Sequence, residues 1–267
     1  GKKLKQIDLP KQFSEPVRAD IIKRAVLVIQ SKKISPYGAD PKAGMRSSAT
    51  VSKRRRRYRG IYGRGQSRTP RKVMTKRGTQ LYFVGAFAPQ TVGGRKAHPP
   101  KSEKIWEFSI NKKERKKAIR SALAATLDKN LVKARGHKIE NIPHVIESKA
   151  EGLNKTIETK KMLLSLGLKD ELLRTQERKV RAGKGKRRGR KYKTRTGPLI
   201  VVSKECPLEK SAVNIPGVEV CKVTNLNAHI LAPGTIPGRL TIFTEDSINK
   251  IKNNNLFTNN TKVEEKI

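Results

Sequence analysis

The sequence is short of acids, aromatics and long apolar runs, and each shortage excludes something. Only 22 of its 267 residues are Asp or Glu against 62 Lys or Arg, a net charge of +40. A chain so one-sided is expected to meet a polyanion, and nucleic acid is the first candidate. The longest apolar run is the five residues from Ala25 to Ile29, far below the roughly 18 needed to span a bilayer. The opening Gly1-Lys2-Lys3-Leu4-Lys5 leads into Gln6, Asp8 and Pro10 where a secretory segment needs an apolar stretch, so an intracellular protein is expected. The triplets starting at Asn154 and Asn259 then carry no meaning for glycosylation.

Reactive groups are equally sparse. Cys206 and Cys221 have no CxxC spacing and no neighbouring histidine to complete a zinc pattern, so they are expected to be free thiols. His98, His137, His144 and His229 show neither HExxH nor HxE spacing. His144 opens a predicted strand and reads as structural, whereas His98 precedes Pro99-Pro100 in a basic stretch and suits a stacking or phosphate contact. The predicted strand ends offer Glu147, Glu205 and Glu245, at spacings unlike those of a two-metal site. No GxSxG elbow is present, and the GxGxxG pattern fails because position 188 is Arg188. No cofactor, no metal and no enzyme are expected.

The cations are unevenly spread. Residues 45–105 hold 17 Lys or Arg and one acid, Glu103, while residues 174–197 hold 12 and one acid, Glu177. The first segment also contains seven glycines, prolines at 70, 89, 99 and 100, and the run Lys53 to Arg59. Some sixty such residues exceed any ordinary loop, so the segment is either disordered or folded against something else. Tyr58, Tyr62, Tyr82, Phe83 and Phe87, interleaved with Arg and Gly, favour stacking on bases. In the second segment, Gly183, Gly185 and Gly189 let the backbone approach phosphates while cations flank it.

The remainder reads as a globular α/β body. Ser14 and Pro16 signal a helix start, followed by Val17, Ile21, Ala25, Val28 and Ile29 on one face. Asn111 with Glu114 resembles a capping box before the stripe Ala118, Ile119, Ala122, Leu123, Thr126 and Leu127. Two more helices are predicted over 156–166 and 170–176. Apolar runs at 144–147, 198–203, 218–223 and 240–244 predict strands buried on both faces. Strands separated by helices imply an open, mostly parallel sheet flanked by helices, with a long basic loop inserted after the first helix. The expected division is 1–44 and 106–248 as the body, 45–105 as the extended loop, and 249–267, with its six asparagines, as a weakly ordered tail.

Several segments then carry a resemblance. Thr91-Val92-Gly93-Gly94-Arg95-Lys96-Ala97-His98-Pro99-Pro100-Lys101, the helix Lys117 to Thr126, Arg181-Ala182-Gly183-Lys184-Gly185-Lys186, Pro16 to Ile21 and Leu231-Ala232-Pro233-Gly234 together resemble the family of universal large-subunit ribosomal protein four, in its archaeal and eukaryotic form. Absence of a long C-terminal region suits the archaeal branch. The resemblance implies a structural constituent of the cytoplasmic ribosome: an α/β domain on the solvent side of the large subunit, and an extension that threads into rRNA, aids assembly and lines the nascent-peptide exit tunnel. There it would lie beside the hairpin of a second ribosomal protein. The tip falls within Tyr58 to Arg77, with Gly63, Arg64, Gly65, Gln66, Ser67 and Arg68 as tunnel-facing candidates. The family's N-terminal strand is expected to be missing or shortened here.

Residues expected to hold rRNA in the extension are Arg46, Lys53, Arg54, Arg55, Arg56, Arg57, Tyr58, Arg59, Tyr62, Arg71, Lys72, Lys76, Arg77, Gly93, Gly94, Arg95, Lys96, His98 and Lys101. In the second segment they are Arg181, Lys184, Lys186, Arg187, Arg188, Arg190, Lys191 and Lys193. Neighbouring large-subunit proteins are expected as partners, with no membrane and no small-molecule substrate. Two other readings stay open on the residues alone: a DNA- or chromatin-compacting protein without sequence preference, and an RNA-modifying enzyme with an α/β domain.

Overall fold

The computed structural model describes residues 6–259 except 52, 57–60, 78–79, 140 and 143, and describes the backbone alone at 76, 80, 81 and 144. Helix α1 spans Ala19–Ser31, the strands β1 and β2 span Arg71–Arg77 and Gln80–Gly85, and α2 spans Lys112–Ala125. After α3 (Lys129–Ala134) come β3 (His144–Ile146), α4 (Thr156–Ser165) and α5 (Lys169–Gln176). The two-residue strands β4 (Lys179–Val180) and β5 (Tyr192–Lys193) precede β6 (Leu199–Val202), α6 (Pro207–Val213), β7 (Glu219–Lys222), α7 (Ala228–Leu231), β8 (Thr241–Thr244) and α8 (Glu245–Asn253). Two compact units result, one from Gly1–Lys33 with Glu107–Ile267 and the other from Ile34–Trp106.

The body is an α/β layer around a four-stranded sheet of order β3-β8-β6-β7, in which every pairing is parallel. All four residues of β6 and of β8 are buried, as continuous apolar runs in a doubly covered sheet should be. The period of two divides them between two cores. Leu199, Val201 and Phe243 face the side covered by α1, α2 and α8, while Ile200, Val202 and Ile242 face the side covered by α4, α5 and α6. Short β3 and half-exposed β7 form the edges. Among the described residues no strand precedes α1.

Three local expectations are corrected. Helix α1 starts at Ala19, not near Ser14, because Ser121 of α2 receives the Arg18 amide at 2.6 Å and donates to the Pro16 carbonyl at 3.0 Å, holding the lead-in extended. Val17 is consequently exposed, and Ile22, Ala25 and Val26 enter the core. Asn111 does stand before α2, but its side chain caps nothing, and Glu114 reaches Arg24 on α1 at 3.0 Å instead of closing a capping box. The tail is built in as far as Asn259: α8 is capped by Thr244 Oγ1, Ile251 is fully buried, and the Gln12 amide donates to the carbonyls of Ile251 and Leu256, each at 3.2 Å. Residues 260–267 of the expected tail lie outside the described residues.

The second unit starts at Ile34 rather than 45, because residues on both sides of it pair with each other. Ala39 donates to the Pro100 carbonyl at 2.9 Å, and the rings of Tyr37 and Trp106 lie 4.7 Å apart. It also contains regular structure that its composition hid. Strands β1 and β2 pair antiparallel, with a bulge between Val73 and Thr75, and Thr50 bridges to Arg71.

Candidate nucleic-acid interface

Gly63 and Gly65 adopt φ of +78° and +70°, which only glycine holds without strain, and no atom of the described residues lies within 4 Å of where a side chain would begin. Around them Arg64, Gln66, Ser67 and Arg68 are exposed, and so are Lys53, Arg54, Arg55 and Arg56. None of these cations has an ion pair among the described residues. Tyr62 is used differently from expected. The guanidiniums of Arg55 and Arg68 lie 5.3 and 4.6 Å from its ring centre, so its face is occupied by cations rather than open to a base. Phe83 and Phe87 are half-buried, and Tyr82 is left exposed. Arg57, Tyr58 and Arg59, and the side chain of Lys76, lie outside the described residues.

Arg71 is turned inward. Its guanidinium donates to the Phe83 carbonyl at 3.5 Å and to the Ser67 carbonyl and hydroxyl at 3.4 and 3.0 Å, so it holds the base of the hairpin. Lys72 beside it is half-buried, and Arg77 is exposed. Arg46 pairs with Asp40. Gly94 is also committed internally: a side chain there would overlap the Ala88 carbonyl, and one at Gly44 would meet Gly94 itself at 2.5 Å. Gly93, with φ of +72°, faces open space. Lys96, His98 and Lys101 are exposed beyond this turn, with Arg95 half-buried.

In the second basic segment, β4 and β5 form a small antiparallel hairpin tipped by a 3-10 turn over Lys184–Arg188. Arg181 ties it together, its amide donating to Lys191 at 2.8 Å and its guanidinium to the carbonyls of Arg190 at 3.0 Å and Tyr192 at 3.4 Å. A side chain at Gly185 would meet Arg181 Cδ at 2.8 Å and displace the Arg181 side chain. Lys184, Lys186, Arg187, Arg188, Arg190, Lys191 and Lys193 remain exposed, without an ion pair among the described residues. Arg181 is thus the structural cation of the hairpin, and Lys191 lies 5.5 Å from the ring centre of Tyr192.

Sequence reasoning missed the buried polar groups of the body. Glu151 receives Thr244 Oγ1 at 2.7 Å and both the amide and hydroxyl of Ser203 at 2.9 Å, closing the carboxyl ends of β6 and β8. Glu171 is wholly buried and holds His137 Nδ1 at 2.6 Å and Arg174 in a two-pronged pair at 2.6 and 2.8 Å. Burial opposes ionisation of Glu171, but the hydrogen bonds from Arg174 and His137 outweigh it and bring its pKa down to about 2. Burial pushes His137 below its ordinary value, assisted by the charges of Arg174 and Arg135 against the pull of Glu171. Burial lifts the Cys221 thiol to about 11 and raises Cys206 as well, which suits two unreactive free thiols. Among the described residues, no group of three or more His, Cys, Asp or Glu could hold a metal, and no helix is long and apolar enough to cross a membrane.

Comparison with known proteins adds a relationship over nearly the whole chain. Residues 7–254 match the profile of the ribosomal protein L4/L1 family. The large ribosomal subunit protein uL4 of Nanoarchaeum equitans is 52% identical over 252 residues, covering 94% of each chain. Its counterpart in Methanococcoides burtonii is 47% identical over 249 residues, covering 92% of each, and that of Methanosphaera stadtmanae 45% identical over 250, covering 92% of this chain and 91% of the relative.

Proposed function

Since the chain belongs to the ribosomal protein L4/L1 family, we infer that it is a structural constituent of the large ribosomal subunit and acts by holding rRNA rather than by catalysis. Its place is then the cytoplasmic ribosome, in keeping with relatives named as large-subunit proteins. The observation that carries the rRNA reading is the set of exposed cations without ion pairs among the described residues, at Lys53 to Arg56, Arg64 and Arg68 and again at Lys184 to Lys193. Each set sits on a glycine-bearing loop. Uncompensated cations on a narrow backbone neutralise phosphates that RNA helices must otherwise keep apart. Arg55 and Arg68 stack on Tyr62 through their guanidinium carbons, a contact that leaves guanidinium N–H donors available for phosphate oxygens.

The extension enters the rRNA and orders fully on it, with the open tip from Gly63 to Arg68 at the wall of the exit tunnel, beside the hairpin of a neighbouring protein. Arg46, Lys72, Arg77, Arg95, Lys96, His98 and Lys101 line its shaft; Arg71, Gly94 and Arg181 act by shaping the loops that carry the contacts. Sedimentation of large subunits in high salt tests the reading. The intact chain should stay with the subunit, and a chain lacking Lys53 to Lys104 should wash off or stall assembly. If both remain free of subunits and bind duplex DNA as well as rRNA, a general polyanion binder replaces this reading.

A further inference from the structure

The body contains an open cavity of about 350 Å³, lined by Arg135, His137, Arg174, Lys179, Lys193 and Arg195, with Thr194, Thr196 and Ile236 completing the wall, a volume within the range of small-ligand sites. Thr196 lies just ahead of β6 and Ile236 ahead of β8, so the cavity opens at the amino ends of the central strands. That is the end opposite to the crevice in which open α/β sheets hold nucleotides, and here Glu151 and its three donors fill the carboxyl ends.

Charge in the cavity is unbalanced. Five cationic side chains line it. The carboxylate beneath them, Glu171, has both oxygens engaged by His137, Arg174 and the Lys138 amide. Glu177 pairs with Arg195 at 3.1 Å but is itself two-thirds exposed. Lys179 and Lys193 have no ion pair among the described residues, and Arg135 is held by the carbonyls of Pro233 and Ile236. Burial, with the charges of Arg239 and Arg174, brings the pKa of Arg135 down to about 10.

Of the four buried side-chain atoms without a partner among the described residues, one belongs to a residue that lines this cavity, His137. His137 Nδ1, at 2.6 Å from Glu171, carries the proton of that hydrogen bond, which leaves Nε2 on the other side of the ring. Nε2 is buried and unbonded among the described residues, in a side chain only 1% exposed that lines the cavity. A polar atom in that state normally meets water or a ligand. We propose that this cavity is a phosphate-binding site, in which Lys179, Lys193 and Arg195 neutralise the anion and His137 Nε2 hydrogen-bonds one of its oxygens. The phosphate is a terminal phosphate of RNA or free inorganic phosphate; both offer the same oxygens. The proton on Nε2 comes with a protonated phosphate oxygen or from solvent, and the anion offsets the repulsion that Arg174 and Arg135 exert on an imidazolium.

The site is independent of the extension, and so is its test. The full chain, labelled with 15N-histidine, is titrated at constant ionic strength with inorganic phosphate, with a 5′-phosphorylated RNA hexamer, and with the same hexamer lacking that phosphate. Phosphate should convert the His137 Nε2 resonance saturably from a lone-pair to an N–H nitrogen. The double variant K179Q/K193Q should weaken that response at least tenfold while leaving the thermal midpoint in place. Saturation by the phosphorylated hexamer alone identifies RNA as the source, and saturation by inorganic phosphate alone identifies the free anion. A response that chloride reproduces, that never saturates, or that the double variant retains would overturn the proposal. Each of those outcomes leaves the salt-resistant sedimentation assigned to the extension untouched.

Discussion

Arg174 grips Glu171 with two hydrogen bonds, Nη2 to Oε1 at 2.6 Å and Nε to Oε2 at 2.8 Å, across a single turn of α5. The same guanidinium donates to the Thr196 carbonyl at 2.7 Å, so the pair ties α5 to the strand entering β6. Replacing Glu171 with Gln leaves Arg174 buried without its counter-charge. Losing one partner of such a pair costs about 3 kcal/mol, and urea unfolding of E171Q should show a loss of that order without a change of slope.

Acid should weaken the body in two stages with one sign. The unfolded chain takes up a proton on His137 below its ordinary pKa of 6.5, which the folded chain resists because burial lowers that value. Burial lowers His229 in the same way, with Lys33 adding to it. Glu171 binds a proton near 4.5 when unfolded and only near 2 when folded. In both windows the unfolded state holds more protons, so stability rises with pH. Thermal midpoints measured downward from neutral pH should fall first below about 6.5 and again below about 4.5, and E171Q should shrink the second fall.

Two adjacent glycines should respond differently to the same change. Gly94→Ala forces a methyl group into the Ala88 carbonyl, whereas Gly93→Ala only strains a φ of +72° in open space. The second should cost about 1–2 kcal/mol. The first should open the turn, seen as several-fold faster proteolytic cleavage around residues 88–95 of the full chain.

Arg181 and Arg187 are both basic residues of one hairpin with separate duties. Arg187→Gln should leave amide exchange in the hairpin unchanged and lower the salt slope of rRNA binding by about one contact. Arg181→Gln removes the guanidinium bonds to the carbonyls of Arg190 and Tyr192 and should speed amide exchange in the hairpin, at Arg190 first. Equal effects of the two substitutions on exchange would contradict the clamp assigned to Arg181.

The strands of the body were legible because β6 and β8 are covered on both faces and must be apolar throughout, whatever surrounds them. Helices α2, α4 and α5 were legible from their spacing. The hairpin of β1 and β2 was not, since Lys72, Lys76 and Arg77 interrupt its apolar residues, and a cross-strand register leaves no mark within one strand. The start of α1 depends on Ser121, a residue 103 positions away from Arg18. Charge identified the segments carrying the candidate interface, because unpaired cations need no partner in the chain. Direction was hidden: an arginine reads alike whether it faces solvent, as Arg187 does, or carbonyls of its own hairpin, as Arg181 does.

Sheet edges decide whether a folded chain can be extended by a stranger's backbone. The edge strand β3 runs for three residues only, and β7 begins with Glu219, paired to Arg239, and ends with Lys222, paired to Glu205. Neither side therefore offers a long, flat, uncharged template for another strand. Two blunted margins of this kind give copies of the chain no ready backbone template on which to polymerise.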